Sequence, residues 1–317
     1  MRCTIQKMAR IEQVPGRKEA HALRFVAGGL SQDSIYESQA RSMMLLIRRF
    51  GGAVWWAVDE SPLAAAAVVI NPGKTAFLFH TPLNAPGLDR GQLVQLVRMM
   101  CIDQISRGVS LVQSLVDPNN SALCSLLREA GMIDLAGLSY MRRMLPHKHL
   151  GIDQRVQWLR YGQYSESMLG ELIACTYRDS LDCPAISRLR RMEDVIAGHK
   201  ASGVFTPGGW LVATVDGAPA GCILVNDVAD GLSSEVVYMG VHPDFRRRGL
   251  ATCMLRRACD ITFGRGIRRI ELAVDTRNEP ALKVYCAEGF AEVQRRLALA
   301  MLRGAEPASR GRIVNNV

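Results

Sequence analysis

An internal repeat constrains the fold of this chain more than any other feature of its sequence. Residues 116–120 (Val-Asp-Pro-Asn-Asn) can be laid over residues 274–278 (Val-Asp-Thr-Arg-Asn), a shift of 274 minus 116, or 158, in a chain of 317 residues. Further upstream, residues 58–62 match residues 215–219 at a shift of 157. Because the shift is half the chain, the sequence predicts two copies of one domain.

The predicted boundary between the copies is a short polar interruption of the apolar pattern. Pro146 to Gly151 contains two histidines and a lysine, so we expect a linker at residues 146–152. The first domain then covers residues 1–145 and the second residues 153–303. Residues 304–317, rich in Gly, Ala, Arg and Asn, are predicted to be a flexible tail.

Composition excludes several classes of protein. Hydrophobic residues make up 48% and charged residues 22% of the chain, which is ordinary globular usage. The longest apolar stretch, Leu63 to Ile70, is far shorter than the roughly 18 to 20 residues of a membrane helix. The first thirty residues contain scattered charges and no apolar segment, so we expect no secretory signal, no membrane partner and a cytoplasmic location.

Cysteine and charge patterns narrow the possible partners. The nine cysteines form no C-x-x-C pair, which favours reduced thiols and predicts no metal site. The net charge is +9. The arginines are dispersed except at Arg246 to Arg248, so we expect no nucleic-acid partner.

Periodicity predicts the order of elements in the second copy as β-α-α-β-β-β-α-β-α-β-β. Its helices are expected at residues 165–177, 186–199, 250–263 and 279–288, and a hairpin turn at Asp216-Gly217. Glu235 to Val241 is an almost continuous apolar strand, which predicts burial on both faces. Two short strands are expected to end the domain near Leu302.

The most informative segment follows that strand. Arg246-x-x-Gly249-x-Ala251 lies between the strand and a helix. A helix start presents unpaired N–H groups and a positive dipole end, so it can hold a phosphate, and two small residues let a diphosphate approach the backbone. Arg247 and Arg248 add positive charge there. The alternative for such a motif in isolation is a solvated basic turn.

In this context the second copy resembles the GCN5-related N-acetyltransferase (GNAT) superfamily. It matches the family's R/Q-x-x-G-x-G/A loop at residues 246–251 and its N-x-x-A-x-x-x-Y-x-x-x-G-F stretch at residues 278–290. The tandem arrangement is similar to that of mycothiol synthases, in which the second copy is the active one. The resemblance implies an α/β (α+β) fold of two tandem domains, each a mixed, mostly antiparallel sheet flanked by helices, with a splayed central strand pair.

The resemblance also implies acetyl-CoA as co-substrate and assigns proton-transfer roles. Glu235, eleven residues before Arg246, stands where several family members have a catalytic glutamate that deprotonates the attacking amine. The alternative is a carboxylate facing solvent at the start of a strand. Tyr285 matches the family's proton donor to the departing thiolate. The alternative for this tyrosine is a packed aromatic side chain on an amphipathic helix.

Further residues are implied as binding groups. The resemblance assigns the backbone of Met239, Gly240 and Val241 to the thioester and pantetheine, and the loop and helix start to the diphosphate. The residues of that loop and helix start are Arg246, Arg247, Arg248, Gly249, Leu250, Ala251 and Thr252. Asn278 is expected to bond the cofactor or to cap a helix. Asp182, between the helices predicted at residues 165–177 and 186–199, is expected either to contact the acceptor amine or to belong to a structural turn.

The first copy lacks the chemistry of the second. At the 158 shift, Phe77 replaces Glu235, Leu88 replaces Arg246, Leu93 replaces Ala251 and Leu127 replaces Tyr285. Asp89 would repel phosphate. We therefore expect a degenerate, non-catalytic first domain.

The leading functional hypothesis is an N-acetyltransferase that moves the acetyl group of acetyl-CoA to a primary amine by direct attack. The acceptor class, a small molecule or a peptide, is left open. The alternative is a non-catalytic acyl-CoA sensor or interaction protein, which would be expected to lose the proton-transfer residues, as the first copy has.

Overall fold

The computed structural model describes residues 9–28, 34–59, 61–145, 155–186 and 189–304. The chain divides into two compact units: unit 1 contains Met1–Asp134 and Ala298–Val317, and unit 2 contains Leu135–Leu297. The predicted linker at 146–152 lies outside the described residues, as does the predicted tail from residue 305 onward. The predicted domain limits therefore remain a proposal.

Unit 1 is a mixed sheet with helices. Its elements in chain order are β1 (Arg10–Gln13), α1 (Glu19–Gly28), α2 (Ser34–Phe50), β2 (Gly52–Val58), β3 (Pro62–Asn71), β4 (Thr75–His80), α3 (Arg90–Ser106), β5 (Leu111–Val116) and α4 (Ser121–Glu129). The strands are ordered β1-β2-β3-β4-β5, antiparallel except for the parallel pair β4 and β5. The apolar stretch found in the sequence forms β3, where residues 64–69 are buried.

Unit 2 repeats this plan. It contains β6 (Ile133–Met144) from Leu135 onward, β7 (Gln157–Arg160), α5 (Glu166–Thr176), α6 (Met192–Ala201), β8 (Trp210–Val215), β9 (Ala218–Asp227), β10 (Ser234–Val241), α7 (Leu250–Gly264), β11 (Arg269–Asp275), α8 (Glu279–Ala287) and the first part of β12 (Ala291–Leu302). The strand order is β6-β11-β10-β9-β8-β7, with β10 and β11 parallel and the other pairs antiparallel. No helix of the described segments is both long enough and apolar enough to cross a membrane.

The last strand of each repeat lies in the other unit. β6 follows α4 in the chain, but it pairs with β11, from Met144 opposite Arg269 to Leu138 opposite Asp275. The end of β12 belongs to unit 1, where the N–H of Arg303 donates to the carbonyl of Ser110 at 2.9 Å. Each unit is therefore built from both halves of the chain.

The backbone register repeats with the sequence. Phe77 is opposite Gln113 in unit 1, and Glu235 is opposite Glu271 in unit 2. In both units the partner lies 36 positions later in the chain (113 minus 77, and 271 minus 235). The helices that follow β5 and β11, α4 and α8, are capped at their N-termini by Asn120 and Asn278, which are 158 positions apart. The predicted mixed α/β fold of two related units is confirmed.

Three local expectations differ from the structure. The strand β10, predicted to be buried on both faces, is mostly half-buried, and within residues 235–241 only Val236 is buried, because pairing with β11 ends there. The helix predicted at residues 186–199 is a 3-10 turn at Pro184–Ile186 and a separate helix, α6, that starts at Met192. Acidic side chains in the first turn of α6 favour that start, because they lie at the positive end of the helix dipole. The two final short strands are the single strand β12, since its sequence contains no Gly or Pro to break it.

The two faces of the sheet in unit 2 carry different helices. On one face α7 and α8 cover a core that includes Val236 and Leu272, and Met239 and Val241 pack against it. On the other face α5 and α6 cover a core around the fully buried Trp210, with Tyr238 at its edge. The predicted hairpin turn joins β8 and β9, with a positive φ at both Asp216 and Gly217.

Candidate active site

The central parallel strands of unit 2 separate after a short paired stretch. β10 and β11 pair only from Ser234 opposite Ile270 to Val236 opposite Leu272, although both strands continue further. A register shift against β9 between Val236 and Tyr238 marks a bulge in β10. A bulge bends its strand, and this one lies where the pairing with β11 ends.

The separation leaves main-chain amides of β10 without a strand partner. The N–H of His242 donates to the carbonyl of Ala220 at 2.9 Å, just after the last register pair with β9. Because successive N–H groups alternate sides along a strand, those of Met239 and Val241 point away from β9, towards the gap. The N–H of Gly240, by the same alternation, points to β9.

The loop after β10 leads into a helix with an open start. Arg247 and Gly249 both have left-handed backbones, with φ of 64° and 78°. Gly249 is the N-cap of α7, no side chain caps this end, and a Cβ added at Gly249 would meet nothing within 4 Å. The first N–H groups of a helix have no partner within it, so those of residues 250–252 are available to an anion.

The three arginines of the loop have different surroundings. Arg247 and Arg248 are exposed, and the Arg248 guanidinium lies 5.5 Å from the centre of the Phe245 ring. The Arg246 guanidinium instead donates to three main-chain carbonyls: Arg178 at 2.7 Å, Thr176 at 3.0 Å and Val241 at 3.3 Å. In this structure its side chain therefore ties the end of α5 to the end of β10.

Glu235 lies at the paired end of β10, beside the start of the gap. It is opposite Glu271 on one side and Asn226 on the other. Burial raises the pKa of Glu235, and the neighbouring Glu271 raises it further. The pKa of Tyr140 on β6 is raised by burial first and by the charge of Glu235 second.

Tyr285 is buried on α8. It is 7% exposed, and its ring centroid lies 6.0 Å from that of Phe290. Burial raises the pKa of Tyr285, with a further contribution from Asp182. The phenol therefore keeps its proton at neutral pH, and a carboxylate from the α5–α6 loop lies within electrostatic range of it.

Asn278 and Asp182 both make structural hydrogen bonds. The Asn278 side chain accepts from the N–H of Ala281 at 3.3 Å and caps α8. Asp182 Oδ1 accepts from the N–H of Asp275 at 3.1 Å. For each of these residues, the structural alternative raised from the sequence is therefore supported by a hydrogen bond.

The sequence reasoning missed a carboxylate that organises this loop. Asp275, at the end of β11, is fully buried, and its Oδ2 accepts from the N–H of Cys183 at 3.2 Å and from Arg277 Nη2 at 2.6 Å. Together with the bond to Asp182, these contacts fasten the α5–α6 loop to the strand end beside the gap. The repeated Val-Asp after a buried strand is the signal that could have revealed it.

Unit 1 lacks the groups proposed for catalysis and the open helix start of unit 2. The side chain of Asp89 caps α3 by accepting from the N–H of Gln92 at 3.0 Å, where α7 has no side-chain cap. Phe77 occupies the register position of Glu235, and Leu127, 158 residues before Tyr285, is fully buried. Within the described residues of the chain, no group of three or more His, Cys, Asp or Glu is arranged to hold a metal ion.

Comparison with known proteins finds a family match in the second half of the chain. Residues 173–290 match the family model for the Acetyltransferase (GNAT) family. Over 89 residues, 26% of this chain, the sequence is 33% identical to an uncharacterized N-acetyltransferase of Methanocaldococcus jannaschii. The match spans 39% of that relative's length.

Solved structures with a similar fold match nearly the whole chain. A GCN5-related N-acetyltransferase from Sphaerobacter thermophilus superposes with a TM-score of 0.62 at 18% identity, covering 93% of this chain and 95% of its own. A tandem GNAT protein from the clavulanic acid biosynthesis pathway gives a TM-score of 0.56 at 13% identity, covering 94% and 100%. These likenesses establish the fold. The chain therefore shares its fold with these GNAT proteins, and its residues 173–290 are similar in sequence to the GNAT acetyltransferase family.

Proposed function

We propose that the protein is an N-acetyltransferase that moves the acetyl group of acetyl-CoA to a primary amine. The observation that carries the proposal is the gap between β10 and β11, which adjoins the open N-terminus of α7. A linear donor with a diphosphate fits this arrangement, because one end of it meets strand amides and the other meets helix amides. The similarity of residues 173–290 to the GNAT acetyltransferase family favours the same reaction class.

The donor would be held by main-chain groups. The amides of residues 250–252 and the positive end of α7 would bind the diphosphate, and the exposed Arg247 and Arg248 would add charge. The amides of Met239 and Val241 would bind the acetyl-bearing arm and the negative charge that develops on its oxygen. Acetyl-CoA, when bound, supplies an acetyl group activated as a thioester.

Glu235 would accept the proton of the attacking amine. An amine with a pKa near 10 is almost fully protonated at pH 7, so it must lose a proton before it attacks. The raised pKa of Glu235 makes this carboxylate a stronger base than an exposed one. Its position where β10 and β11 part puts it beside the gap.

Tyr285 would return a proton to the leaving sulfur. A thiol has a pKa near 8.5, so its thiolate leaves more readily when a donor is close. The buried phenol stays protonated well above neutral pH and is able to donate. Unit 1 lacks the base, the acid and the open helix end, so we propose that unit 2 alone is catalytic.

The test is thiol release from acetyl-CoA with a panel of small-molecule and peptide amines. Glu235→Gln and Tyr285→Phe are expected to lower kcat by about 10²-fold or more while acetyl-CoA binding, measured by calorimetry, persists. The matched control is Glu279→Gln, a carboxylate 77% exposed on α8, which is expected to leave kcat unchanged. Binding of acetyl-CoA without turnover of any amine above the two variants would instead favour the acyl-CoA sensor.

A further inference from the structure

A polar and aromatic group lies on the α5–α6 face of unit 2, and none of its members has a role in the proposed chemistry. We call Tyr177, Arg190, His199 and Tyr238 the α5–α6 cluster. The Tyr238 ring lies 6.0 Å from that of Tyr177 and 5.2 Å from that of His199, measured between centroids. A hydrogen bond between the Tyr238 hydroxyl and Thr176 Oγ1 fixes the ring.

Two nitrogen atoms of this cluster are buried without a hydrogen-bond partner among the described residues. They are Nε of Arg190 and Nε2 of His199. Burial lowers the pKa of His199 to about 4, with Arg190 contributing, so the imidazole is neutral at physiological pH. A buried polar atom with no partner is costly, and its presence points to a group that is supplied from outside.

The Arg190 guanidinium is a partly desolvated cation. Burial lowers its pKa, while Tyr177 and Asp194 are the groups whose charges oppose that shift. Arg190 forms no ion pair with another described residue, and Asp194 lies 3.6 Å from the guanidinium of Arg191. Because an arginine retains its proton even when buried, the missing partner is an anion.

This anion is not a phosphate of the donor. The donor site proposed above uses the start of α7, and α7 packs on the sheet face that holds Val236, Met239 and Val241. The α5–α6 cluster lies on the opposite face, where Tyr238 packs with the core of α5 and α6. The start of α7 and the α5–α6 cluster are therefore on opposite faces of the sheet.

The cluster is nevertheless close to the reacting groups. The charge of Asp182 contributes to the raised pKa of Tyr177, of Tyr238 and of Tyr285, so it acts electrostatically on the cluster and on the proposed acid. Geometry gives the same result for Tyr238, because a Cβ added at Gly240 of β10 would lie 2.8 Å from the Tyr238 hydroxyl oxygen. One small acceptor molecule could therefore reach both places. Its amino group would lie beside the acidic side chains at the gap, and its anionic group would lie beside Arg190.

We propose that the acceptor is a primary amine that carries a carboxylate or phosphate group, and that Arg190 and His199 bind this group. This rests on the proposed acetyltransferase function and names the substrate class of the same site. Arg190 supplies the charge, and the neutral His199 supplies an N–H donor. Arg190 is then a specificity-determining residue.

Matched acceptors test the proposal on the full chain. Alanine is compared with alaninamide and ethylamine, and 2-aminoethyl phosphate with ethanolamine, by thiol release with saturating acetyl-CoA. We expect kcat/KM to be at least about tenfold higher for the anionic member of a set, since a hydrogen bond to a charged group has an effect of this size. Comparing the preference measured with alanine and that measured with 2-aminoethyl phosphate shows whether the site favours a carboxylate or a phosphate.

Variants connect the preference to the cluster. Arg190→Gln is expected to remove the preference, mainly through KM, while activity on the neutral amines is retained, and Arg190→Lys is expected to keep part of it. The control is Arg191→Gln, an arginine whose side chain is 72% exposed, which is expected to keep the full preference. Equal kcat/KM for anionic and neutral amines in the wild-type protein would overturn the proposal, as would an equal loss on both in Arg190→Gln.

A binding measurement separates this proposal from the proposed function. Calorimetry of the wild-type chain with alanine and with 2-aminoethyl phosphate, in the presence of CoA, is expected to detect binding that Arg190→Lys weakens. If no amine is acetylated but this binding is found, the acetyltransferase proposal fails and the anion site stands. If amines are acetylated and no such binding or preference is found, the anion site fails. If Arg190→Gln does not fold, Arg190→Lys and the wild-type comparison still decide.

Discussion

Glu235 and Glu271 are direct neighbours in the parallel register of β10 and β11, yet only Glu271 has arginine partners. Glu271 Oε1 lies 2.7 Å from Arg142 Nε and 3.2 Å from Arg269 Nε. Glu235 has no ion pair in the described part of the chain, and its raised pKa reflects burial first and the Glu271 charge second. Removing that second charge changes the proton affinity of Glu235 without touching its side chain.

The first prediction concerns the pH dependence of kcat/KM. Glu271→Gln removes a negative neighbour and the carboxylate that pairs with Arg142 and Arg269, so the pKa of Glu235 falls. The acidic limb of the pH profile, which follows deprotonation of a general base, is expected to move to lower pH. A profile from pH 4 to pH 9 measures this. An acidic limb that does not move in Glu271→Gln would exclude Glu235 as the titrating base.

The second prediction concerns stability and the charge of Glu235 itself. A group whose pKa is higher in the folded than in the unfolded state favours folding at low pH, and this contribution is lost as pH rises through the folded pKa. Glu235→Gln has no charge to bury, so it is expected to be more stable than the wild type at pH 8, with the gain disappearing towards pH 4. Urea unfolding at both pH values tests this, and Glu279→Gln serves as the exposed control.

The third prediction uses two glycines with matching backbones. Gly249 in unit 2 and Gly87 in unit 1 have φ of 78° and 72°, and an added Cβ meets nothing within 4 Å at either position. Gly249→Ala and Gly87→Ala are each expected to cost about 1–2 kcal/mol of stability from the left-handed backbone alone. Only Gly249→Ala is expected to weaken acetyl-CoA binding, by about tenfold or more, because the methyl group crowds the phosphate at the start of α7.

Calorimetry with acetyl-CoA and denaturant unfolding give the two readouts. An equal loss of acetyl-CoA affinity in both variants would mean that the effect is one of stability and not of the binding site. A loss in Gly87→Ala alone would transfer the donor site to unit 1.

The fourth prediction concerns Asp275, which fastens the α5–α6 loop. Burial alone would raise the pKa of Asp275, but the hydrogen bonds from Arg277 and from the N–H of Cys183 outweigh it and lower the pKa. Asp275→Asn is expected to destabilise the protein by about 1–3 kcal/mol at pH 7. Since a lowered pKa stabilises only the ionised state, the difference is expected to shrink as the pH falls below about 4.

Unfolding of the wild type and Asp275→Asn at pH 7 and pH 3 measures this difference. Asp230→Asn is the control, because Asp230 is 47% exposed and its ion pair with Arg269 is 3.9 Å long. We expect this control to change stability by less than about 0.5 kcal/mol. A difference for Asp275→Asn that is the same at both pH values would contradict the assigned role of the carboxylate.

The parts of the site that were predictable are those built from neighbouring residues. Gly249 after an apolar strand, the asparagine cap at Asn278 and the turn at Asp216-Gly217 are local signals, because a left-handed backbone or an unpaired helix amide demands particular residues at particular positions. The repeat in the sequence has a counterpart in the structure, where the register of β4 with β5 equals that of β10 with β11.

The parts that could not be predicted depend on residues far apart in the chain. The Arg246 guanidinium donates to Thr176 and Arg178, about seventy positions earlier, and Asp275 accepts from Cys183. The orphaned nitrogens of Arg190 and His199 likewise follow from how α5 and α6 pack on β10. A long polar side chain reaches whichever acceptor the packing brings near, so spacing in the sequence does not reveal its partner.

The amino-acid sequence by itself therefore determined that the chain is a tandem repeat, that an apolar strand leads through Gly249 into a helix, and that the second copy has a glutamate and a tyrosine which the first lacks. Tertiary structure decided that β6 and the end of β12 complete opposite units, and that β10 and β11 part beside Glu235. The physical reason is that backbone conformation depends on adjacent residues, whereas strand pairing, burial and charge partners depend on which distant segments come together.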